Sequence, residues 1–278
     1  MTNKILILGS GTSTGIPIPG CLCEVCQSTN PKNKRLRTSI ILKFKNDDKK
    51  GHPEKTLLVD TTPDLRQGLL NHKINRVDAT IITHTHADHL HGIDDLRPLC
   101  FGPPARTIPV YVHSKDKKDL IQRFPYIFDN SQQKPQIGGG IPLLDLKTLD
   151  TSGPISLLGK SFEFFLLPHG YGQTLGFSQG KFAYLIDCHD IPQQVLEFLK
   201  KRELDFLIMD CVCIKPHKTH LNVEKAFSFI KEISPKKAGL IHMGHEIDHD
   251  VLQKMAEESF DFPVFPLSDG MVLDYCSE

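Results

Sequence analysis

The stretch "THTHADHLHG", Thr83–Gly92, decides the fold prediction for this chain. It follows the apolar run "ATII" and brings four metal-binding side chains close together: His84, His86, Asp88 and His89. Neutral imidazole and carboxylate are ligands that suit Zn²⁺, Mn²⁺ and Fe in proteins. Since so many polar side chains in one turn exceed what a hydrophobic core needs, the stretch predicts a metal site at the end of a strand.

The overall composition is that of an ordinary globular chain. It has 278 residues, of which 39% are hydrophobic and 24% charged. Lys and Arg together number 33, as do Asp and Glu, which disfavours nucleic acid and anionic membranes as partners. The first apolar run, Ile5 to Leu8, is too short for a signal peptide, and no run reaches membrane-spanning length. We therefore predict a cytoplasmic protein whose cysteines are thiols or metal ligands.

Short aliphatic runs recur along the chain and have the length of strands. They read "KILIL", "TSIILKF", "TLLVD", "ATIIT", "IPVYV", "FAYLID", "DFLIMD" and "AGLIHM". Helical spacing is clearest in "IPQQVLEFLKKREL" and in "NVEKAFSFIKEI", where Asn222 is the expected N-cap and Ser234-Pro235 the end. Early strands lie close together and later ones alternate with helices, which predicts a mixed-sheet α/β fold. We expect one domain over 1–278, with a hairpin connection at "KNDDKKGHPEK" and a mobile loop at "NSQQKPQIGGGIP".

The motif "HTHADH" resembles the H-x-H-x-D-H signature of the metallo-β-lactamase superfamily of dinuclear hydrolases. The resemblance implies an αββα sandwich of two mixed β-sheets flanked by helices. It also implies that His84 and His86 bind one metal and that Asp88 and His89 bind the other. The remaining ligands of this superfamily come from later strand ends.

Three later strand ends carry matching residues, in "FFLLPHGYG", "FAYLIDCHD" and "AGLIHMGH". By resemblance, His169 completes the first metal site, Asp187 bridges both metals and His242 completes the second site. Taken alone, each of these residues could equally be a hydrogen-bonded polar side chain at a strand end. The expected cofactors of this site are two divalent metals, Mn²⁺ or Zn²⁺, because imidazole and carboxylate accept both.

The N-terminal stretch "GSGTSTGIPIPGCLCEVC", Gly9 to Cys26, combines two patterns. A glycine-rich turn after a strand can cradle phosphate, but this one lacks the G-K-[ST] ending, and "IPIPG" blocks the helix that such a cradle needs. Cys21, Cys23 and Cys26 have the spacing of a tetrahedral zinc site that lacks one ligand. The pattern thus favours a zinc site, which we call the zinc clip (residues 20–26).

This stretch resembles the PhnP-like cyclic-phosphate phosphodiesterases of the superfamily. Members of that branch hold a structural zinc with three cysteines and a histidine, which is His245 in "HMGH". The resemblance also implies that the histidine of "THLNVEKAF", His220, is the general acid, although spacing leaves His217 as a rival. Asp88 is expected in the catalytic set as well as among the ligands.

Several other residues attract weaker predictions. Asp60, at the end of "TLLVD", is expected to orient ligands without binding metal. Arg97 could clamp a phosphate or pair with Asp94, and His91 falls outside the metal pattern. The segment "KNKRLR" is a solvated face or a source of cations for a phosphorylated substrate. Core thiols are predicted for Cys100, Cys188, Cys211 and Cys213, the last two with metal binding as the alternative.

The prediction from these residues is a metal-dependent phosphodiesterase acting on a small phosphate diester, with a cyclic diester favoured. The alternatives are a nuclease of the tRNA 3′-processing type, a thioester or lactone hydrolase, and an accessory protein of cofactor biosynthesis related to the pyrroloquinoline-quinone pathway. The expected partner is a small phosphorylated substrate, with nucleic acid kept only as an alternative substrate. The sequence leaves open whether the chain forms a homodimer.

Overall fold

The computed structural model describes residues 2–46, 52–101, 105–129 and 140–276. The strands are β1 (Thr2–Gly9), β2 (Ser39–Lys45), β3 (Glu54–Val59), β4 (Ala79–Ile82), β5 (Ile108–His113), β6 (Leu144–Leu149), β7 (Ile155–Leu157), β8 (Lys160–His169), β9 (Gly172–Gln179), β10 (Phe182–Leu185), β11 (Phe206–Asp210), β12 (Ala238–Ile241), β13 (Val264–Pro266) and β14 (Val272–Cys276). The helices are α1 (Glu24–Gln27), α2 (Leu65–Asn71), α3 (Ala87–Leu90), α4 (Arg97–Cys100), α5 (Lys117–Arg123), α6 (Pro125–Phe128), α7 (Gln193–Lys200), α8 (Val223–Ile233) and α9 (His249–Ser259).

The strands form two mixed sheets. The first has the order β14-β1-β2-β3-β4-β5-β6 and the second the order β13-β12-β11-β10-β9-β8-β7. Each sheet contains antiparallel pairs, such as β1 with β2 and β8 with β9, and parallel pairs, such as β3 with β4 and β10 with β11. Hairpins at one edge and crossovers at the other account for this mixture.

The hydrophobic core lies in three layers. Between the sheets, Ile40 and Val59 pack in one cluster with Phe162, Phe177 and Tyr184. A second cluster joins the first sheet to α2 and the short helices α3 to α6, and a third joins the second sheet to α7, α8 and α9. Helices therefore cover the outer face of each sheet, and the predicted αββα sandwich is confirmed.

The predicted elements are present where the sequence pattern was clear. All eight aliphatic runs form strands, and the two helical stretches form α7 and α8. Asn222 accepts a hydrogen bond from the backbone N–H of Lys225 at 3.2 Å, and Ser234 ends α8 in a left-handed conformation with φ of 52°. The core of the "KNDDKKGHPEK" connection and residues 130–139 of the predicted mobile loop lie outside the described residues. None of the described helices is both long and apolar enough to cross a membrane.

Three strand ends that face the same edge of the sandwich have unusual backbone conformations. Asp60 after β3, Asp187 after β10 and His242 after β12 have φ values of 65°, 49° and 64°. Non-glycine residues seldom adopt positive φ, and such residues cluster at functional sites. The chain thus turns sharply at these three points and directs polar side chains into one region.

The glycine that ends the "THTHADHLHG" stretch is held against a neighbouring loop. The Gly92 N–H donates to the carbonyl of Thr61 at 2.8 Å, and a Cβ at Gly92 would lie 1.9 Å from the carbonyl oxygen of Thr62. No heavy atom lies within 4 Å of a Cβ placed on Gly153, which makes Gly153 a matched control.

We expect Gly92→Ala to lower the free energy of unfolding by roughly 2 kcal/mol or more, because a rigid backbone carbonyl must move to admit the methyl group. Gly153→Ala should change it by less than about 0.5 kcal/mol. Urea unfolding of both variants, followed by circular dichroism, measures the difference. Equal stability of the two variants would contradict this account of the loop packing.

Candidate metal centre

The first group of predicted ligands meets at the ends of β4, β8 and β10. His84, His86, His169 and Asp187 each offer a donor atom, and these atoms all lie within 4.8 Å of one another. His84 Nε2 lies 3.4 Å from Asp187 Oδ2, and His169 Nε2 lies 3.2 Å from His86 Nδ1. A tetrahedral metal with bonds of about 2.0–2.1 Å places neighbouring ligand atoms about 3.3 Å apart. The spacing therefore suits one metal ion.

The second group shares Asp187 with the first. Asp88, His89, Asp187 and His242 also bring their donor atoms within 4.8 Å of one another. His89 Nε2 lies 3.2 Å from Asp88 Oδ2 and 3.1 Å from Asp187 Oδ2, while His242 Nε2 lies 3.2 Å from Asp187 Oδ1. The two oxygens of one carboxylate thus face donors of both groups, as a bridging ligand must.

Unpaired polar atoms test whether these residues fit metal ions. Among the described residues, the buried atoms without a hydrogen-bond partner include Nε2 of His84, His89 and His242 and Oδ1 of Asp187. Leaving such atoms unpaired costs free energy, so buried polar groups normally have partners. Here the unpaired atoms converge on the same two points, and the residues fit two divalent cations. Metal binding by this set remains a prediction.

The electrostatics of His84 and Asp187 favour the protonation states that bind metal. His89 differs, because burial lowers its pKa but the charges of Asp187 and Asp60 outweigh burial and raise that pKa well above its usual value. Burial, together with the nearby His89, holds the pKa of His84 well below its usual value and keeps its imidazole neutral. Burial alone would raise the pKa of Asp187, but His242 and His89 outweigh it and keep this pKa well below the usual range. A neutral imidazole and an ionised carboxylate are the metal-binding forms.

The rings of His89 and His242 are held by the protein on the side away from the donor groups. His89 Nδ1 lies 2.7 Å from Asp60 Oδ2, and Asp60 also accepts hydrogen bonds from the N–H and hydroxyl of Thr83 at 2.7 and 2.9 Å. His242 Nδ1 lies 3.0 Å from the hydroxyl of Thr38. These contacts fix ring orientation and leave Nε2 directed inward. Asp60 therefore lies where the sequence predicted an orienting acid, and it belongs to neither donor group.

His220 lies beside this centre. Its Nδ1 is 3.2 Å from Oδ2 of the fully buried Asp210, and its ring stacks on that of His242 at 5.1 Å between centroids. Although burial lowers the pKa of His220, the hydrogen bond and charge of Asp210 raise it above its usual value. His217, the rival, hydrogen-bonds to Thr219 and makes no described contact with Asp210. Of these two histidines, His220 is the one that combines a buried carboxylate partner with stacking on a candidate ligand ring.

A cavity of about 550 Å³ opens over both donor groups. Besides predicted ligands and His220, its walls include Ser13 from the N-terminal loop, Asp116 after β5 and the β8–β9 turn. Sequence reasoning missed these residues and Thr38, because their role depends on long-range placement. Asp210 could have been found, since it ends the predicted strand "DFLIMD".

The predicted zinc clip also assembles. Cys21, Cys23, Cys26 and His245 form a third group of donors within 4.8 Å of one another. His245 Nδ1 lies 3.2, 3.5 and 3.9 Å from the three sulfurs in chain order. Tetrahedral zinc with bonds of about 2.0–2.3 Å places its ligand atoms about 3.3–3.8 Å apart. A hydrogen bond from the Cys26 backbone is the main cause that lowers the pKa of the Cys23 thiol, to about 7.

Buried Arg35 holds the segment that carries both His242 and His245. Its guanidinium donates to the carbonyl of Gly244 at 3.0 Å and to that of Ile247 at 2.9 Å. Burial lowers the pKa of Arg35 to about 10, so the side chain stays charged near neutral pH. A rigid guanidinium that bonds the carbonyls of Gly244 and Ile247 restricts the backbone around His245.

Some weaker predictions are corrected. Arg97 donates a hydrogen bond to the carbonyl of Gly140 at 3.4 Å and does not line the cavity over the donor groups. It forms no ion pair with Asp94, whose carboxylate accepts a hydrogen bond from the Tyr126 hydroxyl. Cys100, Cys188 and Cys211 are buried as predicted. The prediction of a core thiol is wrong for Cys213, which is partly exposed and whose sulfur lies 3.0 Å from the carbonyl of Lys215.

Sequence comparison identifies a family for the chain. A model of the beta-lactamase superfamily domain matches residues 55–243. The chain is also 34% identical over 242 residues to an octanoyltransferase of Porphyromonas gingivalis. That match covers 87% of this chain but 46% of the other protein, so the chain spans less than half the length of this relative.

Structure comparison agrees. A diphosphatase from the PhnP family superposes with a TM-score of 0.86 and 31% identity, over 99% of this chain and 98% of that one. Zn²⁺-bound PqqB from Methylobacterium extorquens superposes with a TM-score of 0.76 at 16% identity, over 97% and 99% of the two chains. The second likeness concerns the fold alone.

The shared carboxylate gives a first test of the centre. Asp187→Ala should lose at least one active-site metal and nearly all hydrolytic activity, because no other carboxylate of the described residues faces both donor groups. The control is Asp116→Ala, which removes an acid from the same cavity wall but from neither group. Mass spectrometry of the metal content of both variants measures the loss. Two metals at full occupancy in Asp187→Ala would show that another residue bridges them.

The zinc clip gives a second test. Wild type should contain three metals per chain, and Cys23→Ser should lose one zinc, melt at a lower temperature and bind the His242-side metal more weakly. The reason is that the segment from His242 to His245 serves both sites. The exposed Cys276 provides the control, Cys276→Ser, which should keep all three metals. Two metals in wild type prepared with ample zinc, or three in Cys23→Ser, would exclude a zinc clip.

Proposed function

Because the chain belongs to the metallo-β-lactamase superfamily and to its PhnP family, we propose that it is a metal-dependent phosphodiesterase that hydrolyses a small phosphate diester, a cyclic one above all. The observation that carries the proposal is the arrangement of two donor groups that share Asp187, with the His220–Asp210 pair beside them. The active-site metals would be Mn²⁺ or Zn²⁺, with one structural zinc in the clip.

Two divalent cations, when bound, would supply Lewis acidity, lowering the pKa of a water molecule and offsetting the charge of the phosphate oxygens. The chain's own residues do the rest. Asp187 and the ligand histidines fix the geometry of the cavity floor, where the ester is to lie. Asp60 and Thr38 keep the ligand rings in place. Asp88, our second catalytic candidate, lines the same cavity.

His220 would donate a proton from Nε2 to the oxygen of the leaving group. Its Nδ1 faces Asp210, which orients the ring and favours the protonated form. Asp210 itself accepts hydrogen bonds from the N–H groups of Cys188 and Leu221, both at 3.3 Å, so its carboxylate is held in place. A positioned general acid typically contributes a factor of about 10² to 10⁴.

Hydrolysis of an acyl ester or thioester is the second candidate, because the curated relative at 34% identity is named an octanoyltransferase. That name covers a protein more than twice the length of the match, so it does not assign acyl transfer to the matched region. A nuclease and a cofactor-biosynthesis accessory protein remain further alternatives, and the equal numbers of acidic and basic residues speak against the nuclease.

A panel of substrates separates these classes. Metal-loaded protein would be assayed with bis-p-nitrophenyl phosphate, a 2′,3′-cyclic nucleotide, a tRNA precursor and an octanoyl thioester, with Asp187→Ala as the inactive control. We expect hydrolysis of the first two. Preference for the thioester would overturn the proposal in favour of acyl hydrolysis, and turnover of the tRNA precursor alone would favour a nuclease.

His220→Ala tests the proton donor. It should keep its metals yet hydrolyse an ester with an alkyl leaving group about 10² to 10⁴ times more slowly. An ester with p-nitrophenolate as leaving group, which needs little protonation, should lose far less. His217→Ala is the matched control and should affect neither ester selectively. Equal losses on both esters in His220→Ala would remove His220 from this role.

A further inference from the structure

Tyr171 is an exposed aromatic residue at the mouth of the catalytic cavity. It lies in the two-residue turn between β8 and β9, and its relative exposure is 114%. It is the most exposed of the large hydrophobic side chains among the described residues, and it lines the cavity whose walls include members of both donor groups. The ring therefore stands next to the place where the ester is proposed to bind.

The turn that carries Tyr171 is fixed in place. His169 pairs with Gly172 across the turn, so a predicted metal ligand lies two residues from the tyrosine. Gly170 adopts φ of +55° and packs near Thr219, and a Cβ there would lie 3.3 Å from the Thr219 methyl group. On the other side, Lys115 Nζ donates to the side-chain oxygen of Gln173 at 2.7 Å. A braced turn presents the ring at a defined position.

Folding does not explain this position. The aromatic rings of Tyr184 and Tyr275 are buried in the core between the sheets, where their apolar area contributes to stability. The ring of Tyr171 is left in water, and the structure shows no ring contact for it. An aromatic surface of this kind gains free energy only when a ligand covers it.

The cavity has two chemically different parts. Its floor holds histidines and carboxylates suited to metal ions and a phosphate, whereas its rim carries one flat apolar ring. A volume of about 550 Å³ lies within the range of pockets that accept whole small molecules, and it exceeds the needs of a phosphate group alone. The ligand that fits both parts is a phosphate ester that also carries a flat ring.

We propose that Tyr171 is a specificity-determining residue that stacks on an aromatic ring of the substrate, such as a nucleobase attached to the phosphate diester. The inference rests on the proposed phosphodiesterase function and narrows its substrate class. Stacking of a base on an aromatic side chain tolerates any base and accounts for roughly tenfold or more in binding when the ring is removed.

The test compares two cyclic diesters, 2′,3′-cyclic AMP and glycerol 1,2-cyclic phosphate, which differ in the presence of an aromatic ring. In metal-loaded protein, Tyr171→Ala should reduce the ratio of kcat/KM for the nucleotide to that for the glycerol ester about tenfold, through KM. Tyr171→Phe should keep the wild-type ratio, because stacking needs the ring and not the hydroxyl. Tyr126→Ala removes a partly exposed tyrosine outside the cavity and should leave the ratio unchanged.

An unchanged ratio in Tyr171→Ala, or a ratio that Tyr171→Phe fails to restore, would overturn the stacking role while leaving the phosphodiesterase proposal intact. If wild type hydrolyses neither diester, the proposed function fails. The dissociation constants of AMP for wild type and for Tyr171→Ala then decide whether Tyr171 stacks on the ligand. Equal dissociation constants would exclude stacking. A similar loss for both esters would show that Tyr171 shapes the cavity in general and does not select aromatic substrates.

Discussion

Four histidine rings meet around one buried carboxylate, that of Asp187. The folds of both sheets must satisfy this arrangement. Nε2 atoms of His84, His89, His169 and His242 all lie within 4 Å of the carboxylate oxygens. A buried carboxylate among buried imidazoles is stable only if the charges are compensated. Four strand ends from two sheets must converge for this, and the positive φ of Asp187 is a local cost of that convergence.

The second constraint is that one short segment carries candidate ligands of two proposed metal sites. His242 follows β12 and belongs to the donor group of Asp88 and Asp187, while His245 belongs to the group of cysteines in the N-terminal loop. Arg35 donates to the carbonyls of Gly244 and Ile247, which lie on either side of His245, and Thr38 holds the ring of His242. Outer contacts of this kind determine how well the groups that touch the substrate are held. The N-terminal stretch can therefore influence catalysis without lying close to the reacting atoms.

The resemblance of "HTHADH" to a family signature implied the sandwich and the chain order of the seven proposed ligands, and local patterns then located these residues in the sequence. An apolar run followed by His or Asp predicts a strand end, and the spacing in "HTHADH" fixes which residues share a turn. Strands β6, β7 and β9 were missed. Exposed residues interrupt the aliphatic pattern in β6 and β7, whereas β9 is mostly buried but reads "GQTLGFSQ", with few aliphatic residues. Tyr171 was missed, and the prediction that "KNKRLR" is a solvated face is wrong for Arg35, which is buried. The sequence does not show whether a tyrosine is exposed or an arginine is buried, because the exposure of each depends on the tertiary structure.

The glycine-rich pattern and the cysteine pattern of the N-terminal stretch, Gly9 to Cys26, lie at its two ends. Its cysteine end gathers around His245, whereas its glycine-rich end enters the catalytic cavity with Ser13. The N–H of Gly11 donates to the carbonyl of Leu36 and that of Gly15 to Thr12, so these amides are already paired and unavailable for a phosphate cradle. Of this end, Ser13 is the residue that lines the cavity. The cysteine end belongs to the same loop, so a zinc ion in the clip would also fix the position of one cavity wall. The zinc clip would then affect substrate recognition as well as stability.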